Sequence, residues 1–152
     1  MTPEEVELLR DLTIIIPTYN RPLELERAIE YWRDLPVTVH ILDGSENSWL
    51  IQGCQPETAS IFYHSFQPND ESPMENWGRR LQFGAGEVRT RFAALCCDDD
   101  VFEISSLTRA LKLLKTEQSI DAVIGRTGEY LVSENQIKWI YKYSKWKDEE
   151  YR

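Results

Sequence analysis

Leu12-Thr13-Ile14-Ile15-Ile16-Pro17 is the stretch from which the fold follows. Three isoleucines after a threonine, closed by a proline, have the composition of a strand covered on both faces. Strands of that kind belong to parallel sheets, whose members are joined by helical crossovers rather than tight hairpins. The flanking sequence supplies the crossovers. Pro22 to Asp34 spaces Leu25, Ala28, Ile29 and Trp32 along one helical face, and Val37 to Leu42 reads as a second strand ending in the turn sequence Asp43-Gly44-Ser45. Upstream, Thr2-Pro3-Glu4-Glu5 is a capping box with proline at the first helical position, opening a short helix to about Arg10.

The pattern continues downstream. Residues 46 to 58 are weakly patterned, and Ala59 to His64 reads as a third strand, with His40 in turn a residue of the second. A polar segment, Gln67 to Ser72, precedes a helix expected from Pro73 to about Phe83, where Gly84-Ala85-Gly86 is expected to stop it. Arg91 to Cys97 is an apolar strand, Ile104 to Thr116 a helix burying Leu107, Ala110, Leu111 and Leu114, and Asp121 to Gly125 a further short strand. Glu129 to Ser133, Glu134-Asn135 and Gln136 to Tyr143 form a hairpin pattern with aromatic residues. This alternation predicts an α/β fold, a mainly parallel twisted sheet with helices on both faces and a closing β-hairpin. The division is a core over residues 1–125 with a hairpin and tail over 126–152.

Composition bounds the function. Seventeen Lys and Arg against twenty-six Asp and Glu give a net charge of −9, which argues against nucleic acid as the main partner. At 152 residues the chain suits a single domain with a real core. It has no apolar run long enough for a membrane span and no basic-then-apolar leader pattern, so a cytoplasmic location is expected. Three cysteines, with Cys96 and Cys97 adjacent in an apolar run, predict a reduced, buried pair. Neither His40 nor His64 lies near a cysteine at zinc-ligand spacing.

The chemistry concentrates at strand ends, where sheets of this kind bind ligands. Asp98-Asp99-Asp100 follows the apolar run that ends at Cys97. Acidic runs commonly form solvated turns, but three neighbouring carboxylates repel one another, and at a βα junction a divalent cation relieves that repulsion. Pro17-Thr18-Tyr19-Asn20-Arg21 and Asp43-Gly44-Ser45 end the first two strands. The fold is expected to bring all three segments onto one rim.

Together, Leu12 to Pro22, Val39-His-Ile-Leu-Asp-Gly-Ser45 and Cys97-Asp-Asp-Asp100 resemble the successive signatures of family 2 nucleotide-sugar glycosyltransferases of the GT-A, Rossmann-like fold. The resemblance covers roughly residues 11 to 125. It implies a nucleoside diphosphate sugar as donor, an acceptor that is a saccharide, a lipid-linked group or a protein, inversion at the transferred sugar, and magnesium or manganese as cofactor. It assigns donor binding to Pro17, Thr18, Tyr19, Asn20, Arg21, Asp43 and Asp98, with Arg80 and Arg79 either toward the diphosphate, by the resemblance, or on a solvated helix face. The aspartate signature falls on Cys97-Asp98-Asp99 or, one residue on, on Asp98-Asp99-Asp100, which makes Asp99 the favoured metal ligand and Asp100 its companion. Cys97 stands where many relatives carry the first aspartate. The acceptor base of relatives lies well beyond the aspartate signature, and no residue between Asp100 and Arg152 maps to it. The chain is therefore expected to be a donor-binding portion that lacks an acceptor half, with stacking of acceptor sugar on Trp139 or Trp146 set against ordinary hairpin packing. A non-catalytic nucleotide- or partner-binding module of the same fold is the alternative.

Overall fold

The computed structural model describes residues 1–46, 60–67, 69, 71–125, 129–133 and 136–140, the last two segments as backbone strands. In chain order the elements are α1 (Pro3–Arg10), β1 (Leu12–Thr18), α2 (Pro22–Trp32), β2 (Thr38–Asp43), β3 (Ser60–Ser65), α3 (Pro73–Glu87), β4 (Phe92–Leu95), α4 (Ile104–Thr116), β5 (Glu129–Ser133) and β6 (Gln136–Ile140). The capping box predicted at Thr2 and Glu5 is formed, and Ser72 with Glu75 forms a second one ahead of α3.

Strands β1 to β4 make one all-parallel sheet in the order β3-β2-β1-β4. The side chains of β1 alternate between its faces. Leu12, Ile14 and Ile16 join Val39, Ile41 and Cys96 in a core closed by Leu8 and Leu9 of α1, Leu25, Ala28, Ile29 and Trp32 of α2, and Leu107 and Leu111 of α4. Trp32 is fully buried there and meets Tyr31 and Phe102 edge-on. Helix α3 covers the opposite face, packing on β1 and β2. Helices on both faces are therefore present, three on one side and one on the other. Strands β5 and β6 form a separate antiparallel pair, as the hairpin pattern predicted. The expected continuation to Tyr143, and Trp146, lie outside the described residues, as does Ala59 of the expected third strand.

Besides shifts of one or two residues at the ends of α2, β2 and β3, four elements depart from those expected. Strand β1 runs through Pro17 to Thr18, because parallel pairing with β2 continues over Pro17↔Leu42 and Thr18↔Asp43. Helix α3 does not stop at Gly84-Ala85-Gly86 but continues to Glu87. Gly84 is there for closeness: a Cβ would lie 2.7 Å from Leu42 Cδ1 and 3.1 Å from Ile15 Cγ2, so the missing side chain lets the helix lie against the sheet. Strand β4 ends at Leu95; Cys96 N–H still donates to Ile15 O at 3.0 Å, but at Cys97 the chain turns, and only Cys96 of the expected buried pair is buried. Residues 121–125 form no strand: they are exposed, Ile124 almost wholly, and without a partner strand a short apolar run has nothing to pair with.

The α3 face of the sheet carries a histidine pair whose charge state is coupled to stability. His40 Nδ1 and His64 Nε2 lie 3.0 Å apart, with Phe62 stacked on His40 and Phe83 edge-on to His64. Burial, then His64, holds His40 below its ordinary value, and burial holds His64 down as well; Glu87 opposes both shifts, and Arg89 adds to that on His40. The unfolded chain therefore binds more protons in acid, so the pair's contribution is complete above the unfolded value near pH 6.5 and is lost as pH falls through the lower folded values. Urea midpoints should fall on going from about pH 7.5 to about pH 5.5, and His64→Gln should flatten that fall. An equal pH dependence in the variant would show that the pair is not responsible.

Candidate functional site

The strand order places a switch point between β1 and β4. From β1 the chain moves outward through β2 to β3, then returns to add β4 on the other side of β1. Crossovers diverge there and leave a crevice beyond the carboxyl ends of the strands. Asp98, just past β4, is buried and accepts 2.6 Å from Thr18 Oγ1 at the end of β1 and 2.9 Å from Arg21 Nη1. The same Arg21 nitrogen donates to Asp99 Oδ2 at 2.8 Å. Both carboxylates, Asp99 foremost, hold the Arg21 guanidinium well above its ordinary value, so Arg21 is a permanent cation.

A second junction joins β1 to β2. Asn20 takes up a left-handed backbone conformation at φ 53, which asparagine tolerates better than most residues, and its N–H donates to Ser45 Oγ at 2.7 Å. Ser45 donates from its own N–H to Asp43 Oδ1 at 2.8 Å and from its hydroxyl to the same oxygen; Tyr63 hydroxyl donates to Asp43 Oδ2. Asp43, at 1% exposure, thus directs both oxygens inward and fixes the Gly44-Ser45 turn. Sequence reasoning gave no part to Tyr63; its place two residues before the end of a strand beside β2 was the available signal.

Arg80 sits beneath both junctions. It is 5% exposed, and its Nη1 donates at 2.8 Å to Thr18 O and at 2.8 Å to Leu42 O. The guanidinium expected to face outward to a diphosphate is instead a clamp between the ends of β1 and β2. Arg79 pairs with Glu71 at 3.0 Å and lies over the Phe66 ring. Gly44 lets Arg80 and Asn76 come close: a Cβ would lie 2.9 Å from Arg80 Cζ and 3.1 Å from Asn76 Oδ1, so a larger residue would have to displace them. Above this floor opens a cavity of about 540 Å³, lined by Tyr19, Gly44, Pro73, Asn76, Trp77 and Arg80 among others. Tyr19 and Trp77 are both substantially exposed, which leaves ring surface for a ligand to cover. Trp77 and Asn76 were not singled out in the sequence, although their position on the helix turn preceding Arg80 could have marked them.

The acidic turn divides its three aspartates. Asp98 is internal, whereas Asp99, Asp100 and Cys97 are exposed and offer donor atoms within 4.8 Å of one another. Burial first, then Asp100 and Asp99, push the Cys97 thiol up, so it is protonated at neutral pH in the absence of a cation. Burial, with Asp100 next, pushes Cys96 up to about 12, which leaves it an inert core residue. Two exposed carboxylates with a sulfur beside them form a mainly oxygen donor set, of the kind that hard divalent cations such as magnesium or manganese take. Beyond the turn, Glu103 caps α4 through the Ser105 and Ser106 N–H groups and is held down to about 2 by hydrogen bonds with the Ser106 and Ser105 side chains foremost and with those N–H groups next, while Tyr31 hydroxyl donates to Phe102 O. The turn is thereby anchored on both sides.

Of the residues expected at the site, Thr18, Tyr19, Asn20, Arg21, Asp43, Asp98, Asp99 and Asp100 all fall on this rim, with Pro17 one residue behind it in β1. Compared with known proteins, the chain matches no family model, no curated protein and no solved structure. No described helix is long and apolar enough to cross a membrane.

Proposed function

We propose that the chain is the donor-binding domain of a metal-dependent, inverting glycosyltransferase, which takes a sugar from a nucleoside diphosphate sugar for transfer to an acceptor hydroxyl. One observation carries this reading: the ends of β1, β2 and β4 meet through Thr18–Asp98, Arg21–Asp99 and Asn20–Ser45–Asp43, beside a cavity large enough for a nucleoside. In this reading the base lies against Tyr19 and Trp77, and Asp43 serves by holding the Gly44-Ser45 turn rather than by presenting its own oxygens. The diphosphate reaches from the cavity to the acidic turn. Asp99 and Asp100 would hold the divalent ion, with Cys97 beside them, and the ion when bound would offset the charge that develops on the leaving diphosphate. Arg21, adjacent to that path, offers a planar fork suited to phosphate oxygens. Asp98 orients both Thr18 and Arg21. The acceptor proton needs a base within hydrogen-bond reach, and none of the described residues is assigned that role.

Calorimetric titration of the chain with UDP, GDP and dTDP, each with and without manganese, tests the proposal. The expected result is binding of one nucleotide that strengthens when manganese is added. Heat from none of the three, with or without the ion, would reduce the acidic turn to a solvated loop and end the donor-site reading.

A further inference from the structure

Strand β4 ends the parallel sheet on the side away from β3, and no described strand pairs with its outer edge. The N–H groups of Phe92 and Cys96 turn back to Asp11 O and Ile15 O, both at 3.0 Å, so by the alternation of a parallel ladder those of Ala93 and Leu95 point outward. Ala93 and Leu95 pair with Thr13 and Ile15, which puts them on the face where α3 packs over β1 and β2, yet both are exposed, Leu95 at 49%. Edge strands are commonly guarded by a charge or a proline, and Phe92 to Leu95 contains neither. The charges stand at its two ends instead, with opposite signs. Arg89 and Arg91 precede the strand and Asp99 and Asp100 follow it, all exposed. Among the described residues, neither arginine nor Asp100 forms an ion pair.

We infer that the β4 edge is an interface between two copies of this chain, joined by antiparallel pairing of the two β4 strands about a two-fold axis near Ala94. The two-fold reverses the second strand, so the arginine end of each copy meets the aspartate end of the other. In that register Ala93 of each copy exchanges its outward bonds with Leu95 of the other, and each Leu95 side chain covers the opposing Ala93. Arg89 and Asp99, both five residues from Ala94, then stand opposite one another, with Arg91 and Asp100 beside them. This polarity selects a second copy as the occupant, because one edge carries both of the signs that the same edge needs when reversed. A parallel addition would set arginine against arginine and aspartate against aspartate. The inference stands apart from the donor-site reading, since it needs neither an ion nor a nucleotide.

Sedimentation equilibrium of the full chain tests it. The contact is small, so the chain should pass from monomer to dimer over roughly 10–100 µM, and at higher concentration when salt is added. Leu95→Arg, at an exposed position, should remain monomeric there. Arg91→Glu and Asp100→Arg should each associate about tenfold more weakly, because each sets like charges together at both ends of the contact. An equimolar mixture of those two variants should recover wild-type affinity, since the exchanged charges meet at one end and the native ones at the other. Thermal unfolding confirms that each variant is folded. A wild-type chain that stays monomeric at roughly millimolar concentration would overturn the inference, and slow hydrogen exchange of the Ala93 and Leu95 amides in that monomer would assign the edge to another part of the same chain. A dimer indifferent to Leu95→Arg, or a mixture no tighter than its components, would place the contact elsewhere and overturn it as well.

Discussion

Arg80→Met should destabilise the chain by about 3 kcal/mol, the loss expected when a charged donor giving two buried hydrogen bonds is replaced by an apolar side chain of similar reach. For a chain of this size that corresponds to a fall in Tm of roughly 10 °C. The two acceptors, Thr18 O at the end of β1 and Leu42 O one residue before the end of β2, lie on adjacent parallel strands, so the guanidinium ties together the edges on which the site is built. Relief of desolvation works in the opposite direction: burial holds Arg80 below its ordinary value, Asp43 only partly offsets this, and Nε has no hydrogen-bond partner. The hydrogen bonds prevail because methionine leaves two inward-facing carbonyls short of a donor, although Thr18 O keeps its bond from Gly44 N–H at 3.1 Å. Gly44→Ala supplies an independent check. Its Cβ would press on Arg80 Cζ, an atom at the end of a flexible side chain but pinned by those two bonds. The alanine should therefore cost much less in the Arg80→Met background than in wild type, a coupling that a double-mutant cycle in urea measures. Additive effects, or an Arg80→Met variant within about 1 kcal/mol of wild type, would show that the clamp is not what holds the strand ends.

The clamp also shows where sequence reasoning reaches its limit. Strands β1 and β2 were legible because isoleucine and valine report burial directly, and the parallel sheet followed from their lack of polar alternation. The rim was legible because each motif sits just past a strand, and strands running the same way finish on the same side. The identity of the sheet-facing side of α3 was not legible. That side carries Asn76, Arg80 and Gly84, spaced four apart, so the usual apolar stripe is replaced by a polar, a charged and a small residue. A helix lying on Gly84 and anchored through Arg80 needs no such stripe, and composition gives the opposite impression, that the arginine is solvated and the glycine ends the helix. The strand order β3-β2-β1-β4 was equally hidden, since each pairing is set by contacts between residues far apart in the chain. It is that order, rather than any one motif, that brings Asp98 within 2.6 Å of Thr18.

Asp98 and Asp99 adjoin in sequence, yet their replacements should fail in different ways, and that division is the sharpest test of the site. Asp99→Ala removes an exposed carboxylate whose hydrogen-bond and ionic partner is the half-exposed Arg21, and exposed pairs of this kind contribute little to stability. Its Tm should stay close to wild type. Under the proposed donor-site reading, manganese-dependent nucleotide binding should fall by about a hundredfold or more, since loss of even an outer-shell partner costs roughly 10- to 100-fold in metal affinity. Asp98→Asn should do the reverse. It removes the buried negative charge that Arg21 pairs with, and the Thr18 hydroxyl must turn from donor to acceptor to meet the amide, so stability drops. Any loss of nucleotide affinity should then follow the fraction of folded protein and recover on cooling or on adding stabilising osmolyte. Calorimetry with thermal unfolding on both variants separates the two outcomes. Metal-dependent binding that survives intact in Asp99→Ala would remove this residue from the ligand set and leave Asp100, with Cys97, to hold the ion. Equal losses of stability in both variants would mean that Asp99, despite its exposure, belongs to the scaffold that joins β1 to β4.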